Sequence, residues 1–208
     1  MRSVSYKSIE FFIVFILIPV SFVISYPAWI KLALGGCGFV YILFLILKVE
    51  KISFTISKGI NWKRFWKNTV LKFVIIAILT TLFVFFTDKN MLFEIVRTKP
   101  LLWLFILFFY SVFSVYPQEL LYRTLYFKRY KSLFKSDWLF VFVNAIVFSL
   151  AHLMFKNTLV LMITFVGGIL FSLTYMKTKS TLLVTIEHAI YGSWLFTVGM
   201  GAMLGFPT

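Results

Sequence analysis

Seven long apolar stretches constrain the fold of this 208-residue chain more than any other feature. They lie at about Ile9–Tyr26, Ala28–Leu47, Thr69–Phe86, Leu101–Tyr122, Trp138–Phe155, Thr158–Met176 and Thr181–Val198. Each approaches the roughly 20 residues that a helix needs to cross the hydrocarbon core. A backbone in lipid must satisfy its own hydrogen bonds, and unbroken apolar runs lack the alternation of barrel strands. The sequence therefore predicts an all-α, polytopic membrane protein with about seven transmembrane helices, forming one integral membrane domain over residues 1–208.

Charge and composition support this prediction and give the chain an orientation. Charged residues make up 13% of the chain, against about 25% in soluble domains. Most of the basic residues behind the net charge of +14 lie between the apolar stretches. This distribution suits contact with the lipid bilayer and does not indicate nucleic-acid binding. If the N-terminus is cytoplasmic, sixteen of the 21 Lys and Arg residues fall on the cytoplasmic side, as the positive-inside rule predicts.

Ionisable side chains inside apolar stretches are the candidate functional residues, because burying them in a membrane is costly. The fourth stretch contains Gln118 and Glu119, and Arg123 follows directly after it. Glu119 and Arg123 are four residues apart, so they share one helix face in the favourable order for an ion pair. Pro117 removes one backbone hydrogen bond and loosens the helix there. A structural ion pair and the wall of a polar cavity both explain this segment.

Both histidines of the chain also lie in apolar stretches. His152 is in the fifth stretch, and His188 is in the seventh beside Glu187, whose side chain points about 100° away on a helix. Counting from the neighbouring loops places Glu119 about 13 Å and His152 about 22 Å from the cytoplasmic surface. Helix tilt reduces this difference.

Two kinds of hydrolytic site suit these groups. A carboxylate and a histidine around one water form a general-base pair for peptide hydrolysis, and a second histidine can stabilise an oxyanion. Alternatively, Glu119, His152 and His188 hold a divalent metal, although no H-E-x-x-H motif is present. The single cysteine, Cys37, excludes an internal disulfide and a cysteine metal cluster.

Glycines in two stretches predict close packing of helices, because they let backbones approach each other. Gly35, Gly36 and Gly38 lie in the second stretch, and Gly167 and Gly168 lie in the sixth. We expect a neighbouring helix to pack against each group.

Three short motifs follow one another in the second half of the chain: Q-E-L-L-Y-R at 118–123, F-S-L-A-H at 148–152 and H-A-I-Y-G at 188–192. They resemble the pattern E-E-x-x-x-R, F-x-x-x-H and H-x-x-x-N of the CAAX-protease and bacteriocin-processing family, which is related to the type II CAAX prenyl endopeptidases. The resemblance covers about residues 101–200. It implies a glutamate-dependent intramembrane endopeptidase without a cofactor. In such an enzyme His152 activates water, His188 donates to the oxyanion and Arg123 orients the motif carboxylate.

Two positions depart from the family pattern. Gln118 replaces the first glutamate and cannot act as a base, and Gly192 replaces the asparagine and has no side-chain donor. We expect Glu119 to take the role of the base, with Glu187 as the alternative carboxylate. Tyr191 is a candidate replacement donor.

The resulting expectation is an intramembrane endopeptidase that cleaves peptide or protein substrates in or near the membrane. Its location would be the bacterial cytoplasmic (inner) membrane, with the site open to the cytoplasm. The alternative is a catalytically silent family member that serves as a binding or bacteriocin-immunity protein. A small transporter would instead show repeated halves. A zinc site is the alternative to a site without a cofactor. Prenylated substrates are implied only by the family resemblance. The sequence carries no signal for the oligomeric state.

Overall fold

A computed structural model describes residues 3–52 and 59–204, and those residues form helices and turns without strands. The helices are α1 Val4–Ser21, α2 Ala28–Val49, α3 Trp62–Met91, α4 Glu94–Thr98, α5 Pro100–Arg129, α6 Asp137–Phe155, α7 Thr158–Thr178 and α8 Thr181–Val198. The predicted all-α fold class is confirmed.

Within the described ranges, six helices are long and apolar enough to cross a membrane, namely α1, α2, α3, α5, α6 and α7. The protein is therefore an integral membrane protein. Helix α8 has the bounds predicted for the seventh stretch, but it carries Glu187 and His188 and is not among the six. The crossing of the membrane by α8 and the cytoplasmic N-terminus stay predictions.

Capping residues explain where several helices begin. The side chains of Asn61, Ser136 and Ser180 accept hydrogen bonds from backbone N–H groups in the first turns of α3, α6 and α8, which satisfies donors that a helix start leaves open. Helix α3 begins at Trp62, before the predicted Thr69, because the helix continues through a basic segment that a boundary based on hydropathy leaves out.

Helix α5 widens into two π-helical turns, Tyr110–Val115 and Leu120–Leu125, on either side of Tyr116–Glu119. At the first of them, the N–H of Tyr116 donates to the carbonyl of Ser111, five residues earlier. The loosening predicted at Pro117 takes this form. Single π-helical turns inside helices are frequent at functional sites.

The described residues divide into two compact units. The first unit comprises residues 3–52 and 118–177, which include α1, α2, the C-terminal part of α5, α6 and nearly all of α7. The second unit comprises residues 59–117 and 178–204, which include α3, α4, the N-terminal part of α5 and α8. The single integral membrane domain stays a prediction.

The first unit has an aromatic core around Phe15. This side chain of α1 is fully buried, and its ring centroid lies 5.5 Å from those of Tyr122, Tyr126 and Tyr130 in edge-to-face contact. Such pairs are favourable beyond the area that they bury. They join α1 to the C-terminal part of α5.

A buried ionic network lies next to this core. Arg129 donates from Nε and Nη2 to the two carboxylate oxygens of Glu10, at 2.5 and 2.9 Å, and from Nη1 to Glu50 at 2.6 Å. The hydroxyls of Tyr130 and Tyr41 also donate to Glu10. Burial and the hydrogen bond to Glu10 raise the pKa of Tyr130, so its hydroxyl keeps the proton that it donates. The network ties α1 and α2 to the end of α5.

We predict that Arg129→Gln lowers the free energy of unfolding by about 3–5 kcal/mol, because it leaves two acidic side chains without their partner. Denaturant unfolding in detergent, followed by tryptophan fluorescence, measures the change. The control is Lys131→Gln, which breaks the exposed pair with Asp137 and should cost about 1 kcal/mol or less. Equal losses in the two variants would contradict the structural role of the network.

Glycine packing agrees with the sequence prediction in α7 and differs in α2. A Cβ added at Gly168 would lie 2.7 Å from the Cα of Ala145, so α6 and α7 approach closely there. A Cβ at Gly35, Gly36 or Gly38 would meet no atom of the described residues within 4 Å. The predicted packing of a helix against these three residues is therefore wrong, because this face of α2 points away from its neighbours in the first unit.

Alanine at these positions should have opposite effects. Gly168→Ala should lower the free energy of unfolding by about 1–3 kcal/mol through overpacking against Ala145. Gly36→Ala should raise it by up to about 1 kcal/mol, because alanine is the better helix former. The same unfolding assay compares them, and a gain of stability in Gly168→Ala would contradict the close approach.

Candidate functional site

In the first unit, a buried polar cluster surrounds Arg123. We call Glu119, Arg123, Asn144 and Ser172 the arginine cluster. Arg123 is 0% exposed; its Nη1 donates to Asn144 Oδ1 at 2.5 Å and to the carbonyl of Tyr122 at 3.1 Å. Its Nε lies 3.3 Å from Glu119 Oε2. The ion pair predicted from the four-residue spacing is confirmed.

Asn144 connects the cluster across three helices. Its Nδ2 donates to the carbonyl of Tyr122 at 2.8 Å, and its Oδ1 accepts from the hydroxyl of Ser172 at 2.8 Å. Helices α5, α6 and α7 are thereby joined by side chains that lie out of contact with lipid. Ser172 was not predicted from the sequence, where its only signal is its position four residues after Gly168.

Two aromatic rings complete the surroundings of the guanidinium. The Cζ atom of Arg123 lies 4.9 Å from the ring centroid of Phe148 and 5.8 Å from that of Phe171. A cation over an aromatic face is attracted by it, most strongly where water is excluded. These contacts fix the plane of the guanidinium, which in turn holds the carboxylate of Glu119.

His152 follows the end of the regular α-helical part of α6 at Leu150 and precedes a short 3₁₀ turn. Its Nδ1 lies 2.8 Å from the carbonyl oxygen of Phe148. Because a carbonyl can only accept, Nδ1 carries the proton in this contact. In the neutral ring, Nε2 then holds the lone pair, which is the form that a general base requires.

Helices α5 and α6 are antiparallel. Their register therefore shows how far apart Glu119 and His152 lie along the helix axes. The hydroxyl of Tyr126 donates to the carbonyl of Phe140, and residue numbers fall along α5 as they rise along α6. Continuing this register through the arginine cluster places Glu119 level with Phe148. His152 lies four residues farther, about 6 Å along the helix axis. This offset is smaller than the one obtained by counting from the loops.

In the second unit, Glu187 is fully buried and pairs with a lysine. Its Oε1 forms an ion pair with Lys72 of α3 and accepts from the hydroxyl of Tyr191 at 2.9 Å. The same hydroxyl lies 3.0 Å from the carbonyl of Thr69. Glu187 and Tyr191 thus join α8 to α3, which gives both side chains a structural role.

His188 has a different neighbour, Tyr110 of α5. The two ring centroids are 6.1 Å apart and the rings are nearly perpendicular. A Cβ built on Gly192, one helical turn after His188, would overlap the hydroxyl oxygen of Tyr110. Sequence reasoning missed Tyr110, because no local pattern indicates which side chain fills the space above a glycine.

The sequence-predicted residues therefore fall into two groups. Gln118, which is half-buried, Glu119, Arg123 and His152 lie in the first unit, and Glu187 and His188 lie in the second. The catalytic roles of all six stay predictions.

Among residues 3–52 and 59–204, no group of three or more His, Cys, Asp and Glu side chains could hold a metal ion. Glu119, His152 and His188, the ligands predicted for the zinc alternative, do not form such a group in these residues. The absence of a cofactor stays a prediction.

These observations define an integral membrane protein with buried ionisable side chains in its helices. Residues 100–194 match the family model described as type II CAAX prenyl endopeptidase Rce1-like. The predicted resemblance to this family of membrane proteases is thereby confirmed, over a region that contains all three motifs. No curated protein and no solved structure matches the chain.

Replacing Asn144 tests the arginine cluster. Asn144→Leu should lower the free energy of unfolding by about 1–3 kcal/mol, because it removes two buried hydrogen bonds, one from Arg123 and one to the Tyr122 carbonyl. Ser172→Ala removes one donor from the same oxygen and should cost about 1 kcal/mol or less. If denaturant unfolding gives the two variants the same stability, Asn144 does not organise the cluster.

Proposed function

We propose that the protein is an intramembrane endopeptidase in which Glu119 and His152 activate the water that attacks a peptide bond. The main support for this proposal is the arginine cluster, where the buried guanidinium of Arg123 holds the carboxylate of Glu119. The tautomer of His152, with its proton on Nδ1, supports the proposal because it leaves Nε2 to accept a hydrogen bond from water.

In the proposed reaction, Glu119 takes a proton from a water that also donates to Nε2 of His152. The resulting hydroxide forms a bond to the carbonyl carbon of the substrate, and its carbonyl oxygen becomes an oxyanion. The C–N bond then breaks, and Glu119 returns the proton to the leaving nitrogen, as a general base that becomes a general acid. Proton and electron pair are both accounted for without a cofactor.

Arg123 acts in this scheme as a positioning residue. It holds the carboxylate by charge and is itself held by Asn144 and two aromatic rings. Gln118 cannot accept a proton, so the reaction depends on Glu119. The family resemblance implies that His188 donates to the oxyanion, and that role stays a prediction from the resemblance.

Substrate and location follow from the resemblance and the membrane helices. The description of the matching family model names a prenyl endopeptidase. We therefore propose a peptide or protein substrate in or near the bilayer. The proposed location is the bacterial inner membrane, with the site open to the cytoplasm as the distribution of Lys and Arg predicts.

A direct test measures cleavage of a fluorogenic peptide library by the purified protein in lipid nanodiscs, with and without a C-terminal farnesyl-cysteine. Glu119→Gln and His152→Ala should each lower kcat/KM by about 100-fold or more. Glu94→Gln, which removes a carboxylate in the second unit, is the charge-matched control and should keep the wild-type rate.

Two outcomes would contradict the proposal in different ways. Full activity of Glu119→Gln, with loss in Glu187→Gln, would transfer the base to Glu187. Absence of cleavage by the wild-type protein across the library would favour the silent binding or immunity protein. That alternative is motivated by Gln118 and Gly192, which replace residues of the family motif.

A further inference from the structure

We propose that the beginning of α3 binds an anionic phospholipid, whose phosphate contacts Lys63 and Lys67 and whose acyl chain covers Val70 and Val74. We call these four residues the α3 lipid face. All four lie in the second unit, so the inference needs nothing from the first unit. It also does not rest on the proposed function.

The first turns of α3 lie at the level of the lipid headgroups. The helix comprises 30 residues, Trp62–Met91, which corresponds to a length of about 45 Å, whereas the hydrocarbon core is about 30 Å thick. Near the far end of α3, the side chain of Phe86 is exposed and suits contact with lipid. Counting about 20 residues back from Phe86 reaches Lys67. The lysines of the α3 lipid face therefore lie near the phosphates, and its valines lie at the edge of the hydrocarbon.

The α3 lipid face is directed away from α8. The opposite side of α3 carries Thr69, whose carbonyl accepts from the hydroxyl of Tyr191, and Lys72, which pairs with Glu187. At 100° per residue, the α3 lipid face points roughly opposite to these two side chains. Both of its lysines are exposed, and its two valines are 52% and 45% exposed. A basic surface and an apolar surface therefore follow each other along one open face of the helix.

The lysines of this face have no acidic side chain nearby in the sequence to balance them. The chain contains no Asp or Glu between Glu50 and Asp88, and among the described residues no salt bridge involves Lys63 or Lys67. The two lysines are four residues apart, a spacing at which like charges destabilise a helix. An anion between them removes this repulsion. The predicted orientation places the lysines at the cytoplasmic surface, whose leaflet carries anionic lipid.

Two tryptophans beside this face favour a lipid over a free anion. Trp62 and Trp66 are exposed and one turn apart, and both rings contact the buried ring of Phe65, at 6.4 and 5.3 Å between centroids. Tryptophan is enriched at the boundary between hydrocarbon and water. Inorganic phosphate would balance the lysines but leave the indole rings and the valines uncovered. A phospholipid supplies both the charge and the apolar cover.

The first arm of the test measures the midpoint of thermal unfolding, Tm, of the purified protein in a neutral detergent. Phosphatidylglycerol should raise the Tm by about 3 °C or more beyond the effect of phosphatidylcholine, as expected for a ligand of the folded state. Lys63→Gln/Lys67→Gln should lose most of this difference, whereas Lys63→Arg/Lys67→Arg should keep it. The matched control Lys89→Gln/Lys99→Gln removes two exposed lysines elsewhere in the second unit and should also keep it. A full difference in Lys63→Gln/Lys67→Gln would overturn the inference.

Two measurements show that a loss in the glutamine variant does not come from a damaged fold. Without added lipid, its Tm should equal or exceed that of the wild-type protein, because the like-charge pair is gone. In the wild-type protein, about 0.5 M NaCl should reduce the phosphatidylglycerol effect, since salt screens contacts between exposed charges. A lower Tm of the variant without lipid, or an effect that salt leaves unchanged, would count against the lysine–phosphate contact.

The second arm separates a bound lipid from a free anion. Inorganic phosphate, at the same concentration of phosphate groups as the phosphatidylglycerol, should leave the Tm unchanged. An equal rise with inorganic phosphate would show a site for free anions and would overturn the lipid assignment. Both arms follow unfolding alone, so their results are independent of whether the protein cleaves peptides.

Discussion

A fully buried guanidinium is the constraint on which the first unit depends. A charge in a membrane helix costs several kcal/mol unless partners compensate it, and Arg123 takes its partners from three helices. Glu119 lies on its own helix, Asn144 and Phe148 on α6, and Phe171 on α7. A shift of any of these helices by one turn would leave the charge without a partner. Burial of the arginine therefore fixes the register of these helices, which also sets the positions of Glu119 and His152.

The second unit uses different chemistry for a similar problem. The buried carboxylate of Glu187 is paired with Lys72, which attaches α8 to α3. On the same helix, Tyr110 packs over Gly192 and its ring contacts that of His188. The two departures from the family motif thus have different consequences. Loss of the glutamate at 118 leaves an adjacent carboxylate in place, whereas loss of the asparagine at 192 makes room for a side chain from another helix.

Features that depend on neighbouring residues in the sequence were predictable. Features that depend on which helices pack against each other were not. The bounds of α8 and the Glu119–Arg123 pair follow from interactions over a few residues. The glycines show the limit, because Gly168 lies against Ala145 whereas Gly36 has open space around it. Nothing in the neighbouring sequence distinguishes the two, since the difference arises from which helix face meets a neighbour. The position of Tyr110 over Gly192 was missed for the same reason.

The most direct test of the account is a structure of the protein bound to a peptide analogue whose central hydroxyl replaces the attacked carbonyl. We predict that this hydroxyl lies within hydrogen-bond distance, about 2.6–3.2 Å, of both a Glu119 carboxylate oxygen and Nε2 of His152, with Arg123 still paired to Glu119. A hydroxyl bound away from both side chains, with Glu119 and His152 too far apart to share it, would contradict the central claim.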